Sequence, residues 1–342
     1  MGAGIFGRRR VSPGPVIRSM LRNSLLYLSR QQRIFDFIRG NGFARRMASR
    51  FVAGETIAAA CDAAADLNAH GISATLDLLG ESVTNEAEAR DTGRQYLELL
   101  DTIHARRLDC NVSVKLTALG QDISDALCVD VVSEILARAE QYDSFVRLDM
   151  ESSEYTQRTL DTFERDLFSR YPKRVGIVLQ SALRRTLDDV ERAIGLGARV
   201  RLCKGAYMEP EDVAFPDKAD VDRTYVQAMH RLMSRGFYPG LATHDEVIIT
   251  EAKRFARAEG IPAERFEFQM LYGVRRDLQE ALVAEGWRVR AYIPFGTQWY
   301  PYLMRRLAER PANIAFMTGN IVREAIHGSQ RTPSTAPGNG AH

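Results

Sequence analysis

From residue 54 onward the chain repeats one pattern eight times: a short apolar or β-branched run, then a stretch with helical spacing. The runs fall at residues 74–79, 112–115, 145–149, 175–180, 200–204, 240–243, 266–270 and 289–293. Between them, stretches such as 85–105, 129–141, 155–171, 184–194 and 245–258 carry the helical period. Strands that alternate with helices form a parallel sheet, and eight such units without a break predict a closed (β/α)₈ TIM barrel. A doubly wound sheet is the alternative, but it uses fewer strands and needs an early phosphate-binding glycine turn. The only glycine string of that kind, Gly2, Gly4 and Gly7, has no strand before it and runs into Arg8, Arg9 and Arg10. Glycines act in that fingerprint only at a strand-to-helix turn, so the match is discounted. The expected organisation is an N-terminal helical, basic segment (1–53) packed on or near the barrel, the barrel itself (54–328), and a tail (329–342). That tail is rich in Ser, Thr, Pro and Gly and too poor in apolar residues to order itself.

The polar residues that close each apolar run carry the functional signal, because a barrel places its site at the C-terminal ends of its strands. They are Asp77 or the segment after it, Lys115, Asp149, Gln180, Arg201 through Lys204, Thr243 with His244, Gln269 and Tyr292. Any one of them can be an ordinary loop-capping residue. Charges inside apolar runs cost too much unless paired, so Lys115, Asp149 and Arg201 together point to a shared site. The other classes are thinly supported. A net charge of +2 gives no case for nucleic acid. Four cysteines without CxxC and six histidines without HExxH give none for a metal. No apolar run approaches the ~18 residues a membrane span needs, and the expected location is cytoplasmic.

Around strand five, Lys204-Gly205-Ala206 can bring bare backbone N–H groups to an anionic or carbonyl-rich ligand. Gln180, Thr243, His244 and Gln269 add neutral donors and acceptors, a ring suited to a flat polar heterocycle. After strand eight, Tyr302, Arg305, Arg306 and Glu309 are spaced by threes and fours and share one helical face. That face is either a solvated, salt-bridged surface or, with Lys115, a clamp for a small carboxylate. Two other classes stay open on the residues alone. One is an aldolase using Lys115 as a Schiff-base nucleophile; the other is a non-catalytic binding protein.

Five motifs, in order along the chain, resemble the proline dehydrogenase family. They are Ser113-Val114-Lys115-Leu116, Arg147-Leu148-Asp149-Met150-Glu151, Arg201-Leu202-Cys203-Lys204-Gly205-Ala206-Tyr207 and Phe268-Gln269-Met270-Leu271-Tyr272-Gly273. The fifth is Tyr292-Ile293-Pro294-Phe295-Gly296 with Tyr302-Leu303-Met304-Arg305-Arg306-Leu307-Ala308-Glu309. The resemblance implies a distorted barrel that binds FAD noncovalently, oxidises L-proline to Δ1-pyrroline-5-carboxylate and passes electrons to a membrane quinone. It also implies Asp149 and Arg201 as catalytic residues. FAD contacts carry over to Met150, Val178, Gln180, Arg201, Cys203, Lys204, Gly205, Ala206, Tyr207, Thr243, His244 and Gln269. Substrate contacts carry over to Lys115, Tyr292, Tyr302, Arg305 and Arg306, with Glu309 behind the arginines. Asp149 is expected to pair with Lys115, offsetting the cost of burying its ammonium. A basic amphipathic N-terminal region, about residues 16–38, is expected either to pack over the barrel or to lie peripherally on the inner face of the cell membrane.

Overall fold

Helix α1 (Ile57–Ala69) begins where the Thr56 hydroxyl accepts the Ala59 N–H, and leads into β1 (Ser73–Leu78). The units that follow are α2 (Glu86–Ala105) with β2 (Cys110–Val114), then α3 (Asp125–Gln141) with β3 (Val146–Leu148). Next come α4 (Ser153–Asp161) with β4 (Val175–Gln180), α5 (Thr186–Leu196) with β5 (Arg199–Cys203), and α6 (Lys218–Arg235) with β6 (Gly240–Ala242). The last are α7 (Glu246–Ala258) with β7 (Glu267–Leu271), and α8 (Arg276–Ala284) with β8 (Val289–Phe295). These elements come from a computed structural model that describes residues 49–303. Residues 1–48 of the expected N-terminal segment, the tail, and the candidates Arg305, Arg306 and Glu309 lie outside the described residues. The chain divides into two compact units: Asn41–Trp299, which holds the barrel, and a second to which residues 300–303 belong.

The eight strands pair in chain order, every pair is parallel, and β8 closes on β1. The helices are held by one face. On α2 the buried positions are Ala89, Gly93, Tyr96, Leu99, Leu100 and Ile103, the three-and-four spacing that one helical stripe requires. Its start is fixed by Asn85, whose side chain accepts the Glu88 N–H at 3.0 Å. Tyr96 then ties the helix to the sheet, donating to the Ser113 carbonyl at 2.8 Å and accepting the Leu78 N–H at 3.2 Å.

The strands alternate strictly. One face of each, including Leu76, Val112, Val114, Leu148, Ile177, Val200, Leu202, Phe268, Met270, Ala291 and Ile293, belongs to the apolar core under the helices. The other face carries Asp77, Ser113, Arg147, Arg199, Arg201, Glu267, Gln269, Arg290 and Tyr292. That second face looks into the barrel. Arg201 on β5 bonds Ser113 on β2, and Arg147 on β3 bonds the Arg199 carbonyl on β5, contacts between non-neighbouring strands that only the lumen permits. Barrels of this kind normally fill that lumen with branched aliphatic residues. Here it holds paired charges.

Two strand glycines make room for them. A Cβ at Gly176 would lie 2.6 Å from the Arg147 guanidinium and 2.6 Å from the Phe145 ring, and one at Gly240 would lie 2.4 Å from the Gln269 amide nitrogen. Towards the N-terminal end of the strands, Arg199 stacks between Phe145 (4.2 Å) and Tyr238 (4.6 Å), and Arg147 lies 4.8 Å over the same Phe145 ring. Burial and the charges of Arg201 and Arg199 push the Arg147 guanidinium well below its ordinary value. Gly240→Ala should therefore destabilise the protein by about 1–3 kcal/mol, as overpacking does. Urea unfolding measures this; an unchanged midpoint would show that the Gln269 amide yields its place at no cost.

Candidate active site

At the C-terminal ends of the strands the lumen charges converge on one carboxylate. Asp149, just past β3, accepts from the Ser113 hydroxyl at 2.7 Å and from Arg201 Nη1 at 2.7 Å through Oδ1. Its Oδ2 accepts from the Tyr292 hydroxyl at 2.7 Å. Arg201 also donates from Nη1 to Ser113 at 3.1 Å and from Nε to Gln269 Oε1 at 2.5 Å. Its guanidinium carbon lies 5.1 Å from the Tyr292 ring centroid. Burial and the Asp149 charge hold the Tyr292 phenol well above its ordinary value, so it remains a donor. Four residues named from sequence, Asp149, Arg201, Gln269 and Tyr292, are thus joined by direct hydrogen bonds. Among the described residues, Nη2 of Arg201 has no acceptor, which leaves one edge of a fixed cation available to a ligand.

Lys115 corrects one expectation. Its ammonium does not bond Asp149 but lies between both oxygens of Asp77, at 2.7 and 2.9 Å. The reason is occupancy. β2 lies between β1 and β3, so Lys115 has a carboxylate on either side, and Asp149 is already engaged by Ser113, Arg201 and Tyr292. Burial alone would lower the Lys115 amine, but the Asp77 and Asp149 charges outweigh it and hold the amine above its ordinary range, as ammonium.

The remaining candidates sort by position. Gln180 is buried, donates to the Glu151 carbonyl at 2.9 Å, and turns its Oε1 towards Gly205. Met150 and Val178 are buried apolar residues at the same strand ends. Thr243 accepts the Asp245 N–H at 3.0 Å, and His244 Nε2 accepts the Leu271 N–H at 2.9 Å, so that nitrogen carries no proton. Lys204 bridges Asp222 at 2.6 Å and Asp245 at 2.9 Å. Cys203 ends β5, and Gly205, Ala206 and Tyr207 follow it in the loop before α6. Tyr302 is buried and belongs to the second unit. Sequence reasoning gave no role to Ser113, Glu267 or Arg290, and listed Asp77 only as a strand end. The signal was there in Arg-Val-Arg (199–201), Glu-Phe-Gln (267–269) and Arg-Ala-Tyr (290–292), which place a polar residue at every second position.

The chain is similar to known proteins over most of its length. Residues 60–319 match the family model described as Proline dehydrogenase. The Proline dehydrogenase of Deinococcus radiodurans is 40% identical over 311 residues, 90% of this chain and 100% of that protein. Proline dehydrogenase 1 of Bacillus subtilis is 39% identical over 305 residues, 89% of this chain and 100% of that protein. Among solved structures, proline utilization A from Bdellovibrio bacteriovorus inactivated by N-propargylglycine matches with a TM-score of 0.74 at 28% identity. That match covers 81% of this chain and 34% of the other.

The pairing of Lys115 has a measurable consequence. Asp77→Asn leaves a buried ammonium without its closest counter-charge and should destabilise the protein by about 3 kcal/mol. Adding Lys115→Met should recover most of that loss in denaturant unfolding. Equal unfolding midpoints for Asp77→Asn and the wild type would remove this ion pair from the energetics of the site.

Proposed function

Since the chain belongs to the proline dehydrogenase family and oxidises proline, we propose that it binds FAD noncovalently at the C-terminal mouth of the barrel and converts L-proline to Δ1-pyrroline-5-carboxylate. The observation that carries this reading is the Asp149–Arg201–Gln269–Tyr292 cluster, a fixed cation and a protonated phenol at the strand ends. The residues fit a flavin. Gly205 has φ +103, and a Cβ there would come within 3.1 Å of Gln180 Oε1, so bare backbone beside the Gln180 amide suits a flat polar ring. When bound, FAD supplies the hydride acceptor at N5.

The protein's part is placement and charge. Arg201, held at Nε and Nη1, offers its remaining edge to the site and favours negative charge developing beside it. Asp149 accepts three hydrogen bonds on its two oxygens, which suits it to hold Arg201 and Tyr292 in register. Tyr292 is pinned through its hydroxyl, so its ring offers a rigid wall to the substrate. Met150, Val178, Gln180, Cys203, Lys204, Gly205, Ala206, Tyr207, Thr243, His244 and Gln269 are the proposed cofactor contacts. Lys115 supplies positive charge for the proline carboxylate. From the sequence alone, Tyr302, Arg305 and Arg306, with Glu309, are proposed to complete that clamp. The Schiff-base alternative loses ground, because a nucleophilic lysine needs a lowered pKa and Lys115 is held as ammonium.

Electrons are proposed to leave for a membrane quinone. Among the described residues no helix is long and apolar enough to cross a membrane; the contact is proposed to be peripheral. An absorbance spectrum of the purified protein tests the proposal. A yellow protein bleached anaerobically by L-proline, and not by glycine, is expected. A folded, colourless protein that takes up no added FAD would overturn it.

A further inference from the structure

Glu267 sits at the N-terminal start of β7, below the cluster just described, and is 3% exposed. Its carboxylate accepts from Gln269 Nε2 at 2.6 Å, Arg290 Nε at 2.8 Å and the Tyr238 hydroxyl at 3.1 Å. Arg290 is anchored in turn, donating from Nη1 to the Ala74 carbonyl at 2.6 Å. Burial alone would raise the Glu267 carboxyl, but the Arg290 charge and hydrogen bond, with the Gln269 amide, overcome it and hold the group down to about 2. It is therefore ionised and can only accept.

That decides the direction of the Gln269 amide. Its NH₂ must face the carboxylate, which turns Oε1 towards Arg201 Nε at 2.5 Å. Reversed, the amide would set oxygen against carboxylate below and NH₂ against guanidinium above, two contacts with no shared proton. The amide fits this slot only because Gly240 opposite has no Cβ. We propose that Glu267 is a positioning residue for Arg201, acting through the Gln269 amide from the N-terminal layer of the barrel. This rests on the reading of Arg201 as the cation beside the flavin.

The FAD-loaded enzyme tests it in a double-mutant cycle of Glu267→Gln and Gln269→Leu, reading proline KM, the single-turnover rate of flavin reduction and the flavin midpoint potential. Glu267→Gln is expected to slow reduction about tenfold, move KM less than about twofold and make the potential more negative. In the Gln269→Leu background, the same substitution is expected to change the rate less than about twofold and to leave the potential in place, because the path is already cut. Losses that multiply across the cycle, or a Glu267→Gln enzyme with wild-type rate and potential, overturn the proposal. If Glu267→Gln does not fold, Glu267→Asp, which keeps the charge but draws the carboxylate back by one methylene, takes its place in the cycle. Slowed reduction that is absent in the Gln269→Leu background then supports the relay, and a wild-type rate and potential, or a loss that multiplies across the cycle, refutes it. A wild-type spectrum that proline does not bleach counts against the flavin reading, whereas bleaching at an unaltered rate in Glu267→Gln counts against the relay.

Discussion

The carboxylate of Asp149 is the junction on which the lumen depends. Three strands that are not neighbours, β2, β5 and β8, send Ser113, Arg201 and Tyr292 to its two oxygens. A charge removed from water is tolerated only when its partners are complete, and truncating one leaves the others exposed to the full cost. Each member of this set therefore fixes the rest, and the barrel mouth inherits a geometry that loops alone would not hold.

The same rule runs downward through the barrel. Arg201 needs Gln269, Gln269 needs Glu267, and Glu267 needs Arg290. An aliphatic lumen would cost less to assemble, but it could not aim a cation. The polar column is compatible with stability because the apolar core is elsewhere, between the outer face of the strands and the helices. Gly176 and Gly240 show how tightly the column is fitted, since even one methyl group at either position would collide with it.

The fold was legible because each strand's outer face and each helix's buried stripe carry a clear period, and parallel closure follows from the strand–helix alternation. Asp149, Arg201, Gln269 and Tyr292 were legible as polar residues closing apolar runs. The lower layer was not. Glu267 and Arg290 stand at alternate positions of those same runs and Arg199 just before one of them, and alternation more often marks a strand with one face in water than one facing a polar lumen. The partner of Lys115 was missed for a geometric reason. A flexible four-carbon side chain just past β2 can reach a carboxylate on either side, and only the hydrogen bonds already made to Asp149 decide for Asp77.

The central claim is that Asp149 acts by holding Arg201 and Tyr292 in place at the strand ends. Anaerobic stopped-flow reduction of the FAD-loaded enzyme by L-proline, wild type against Asp149→Asn, tests it most directly. The account predicts that the variant keeps its flavin but is reduced about a hundredfold more slowly, the scale of losing a preorganised electrostatic contact. A reduction rate equal to that of the wild type would contradict it.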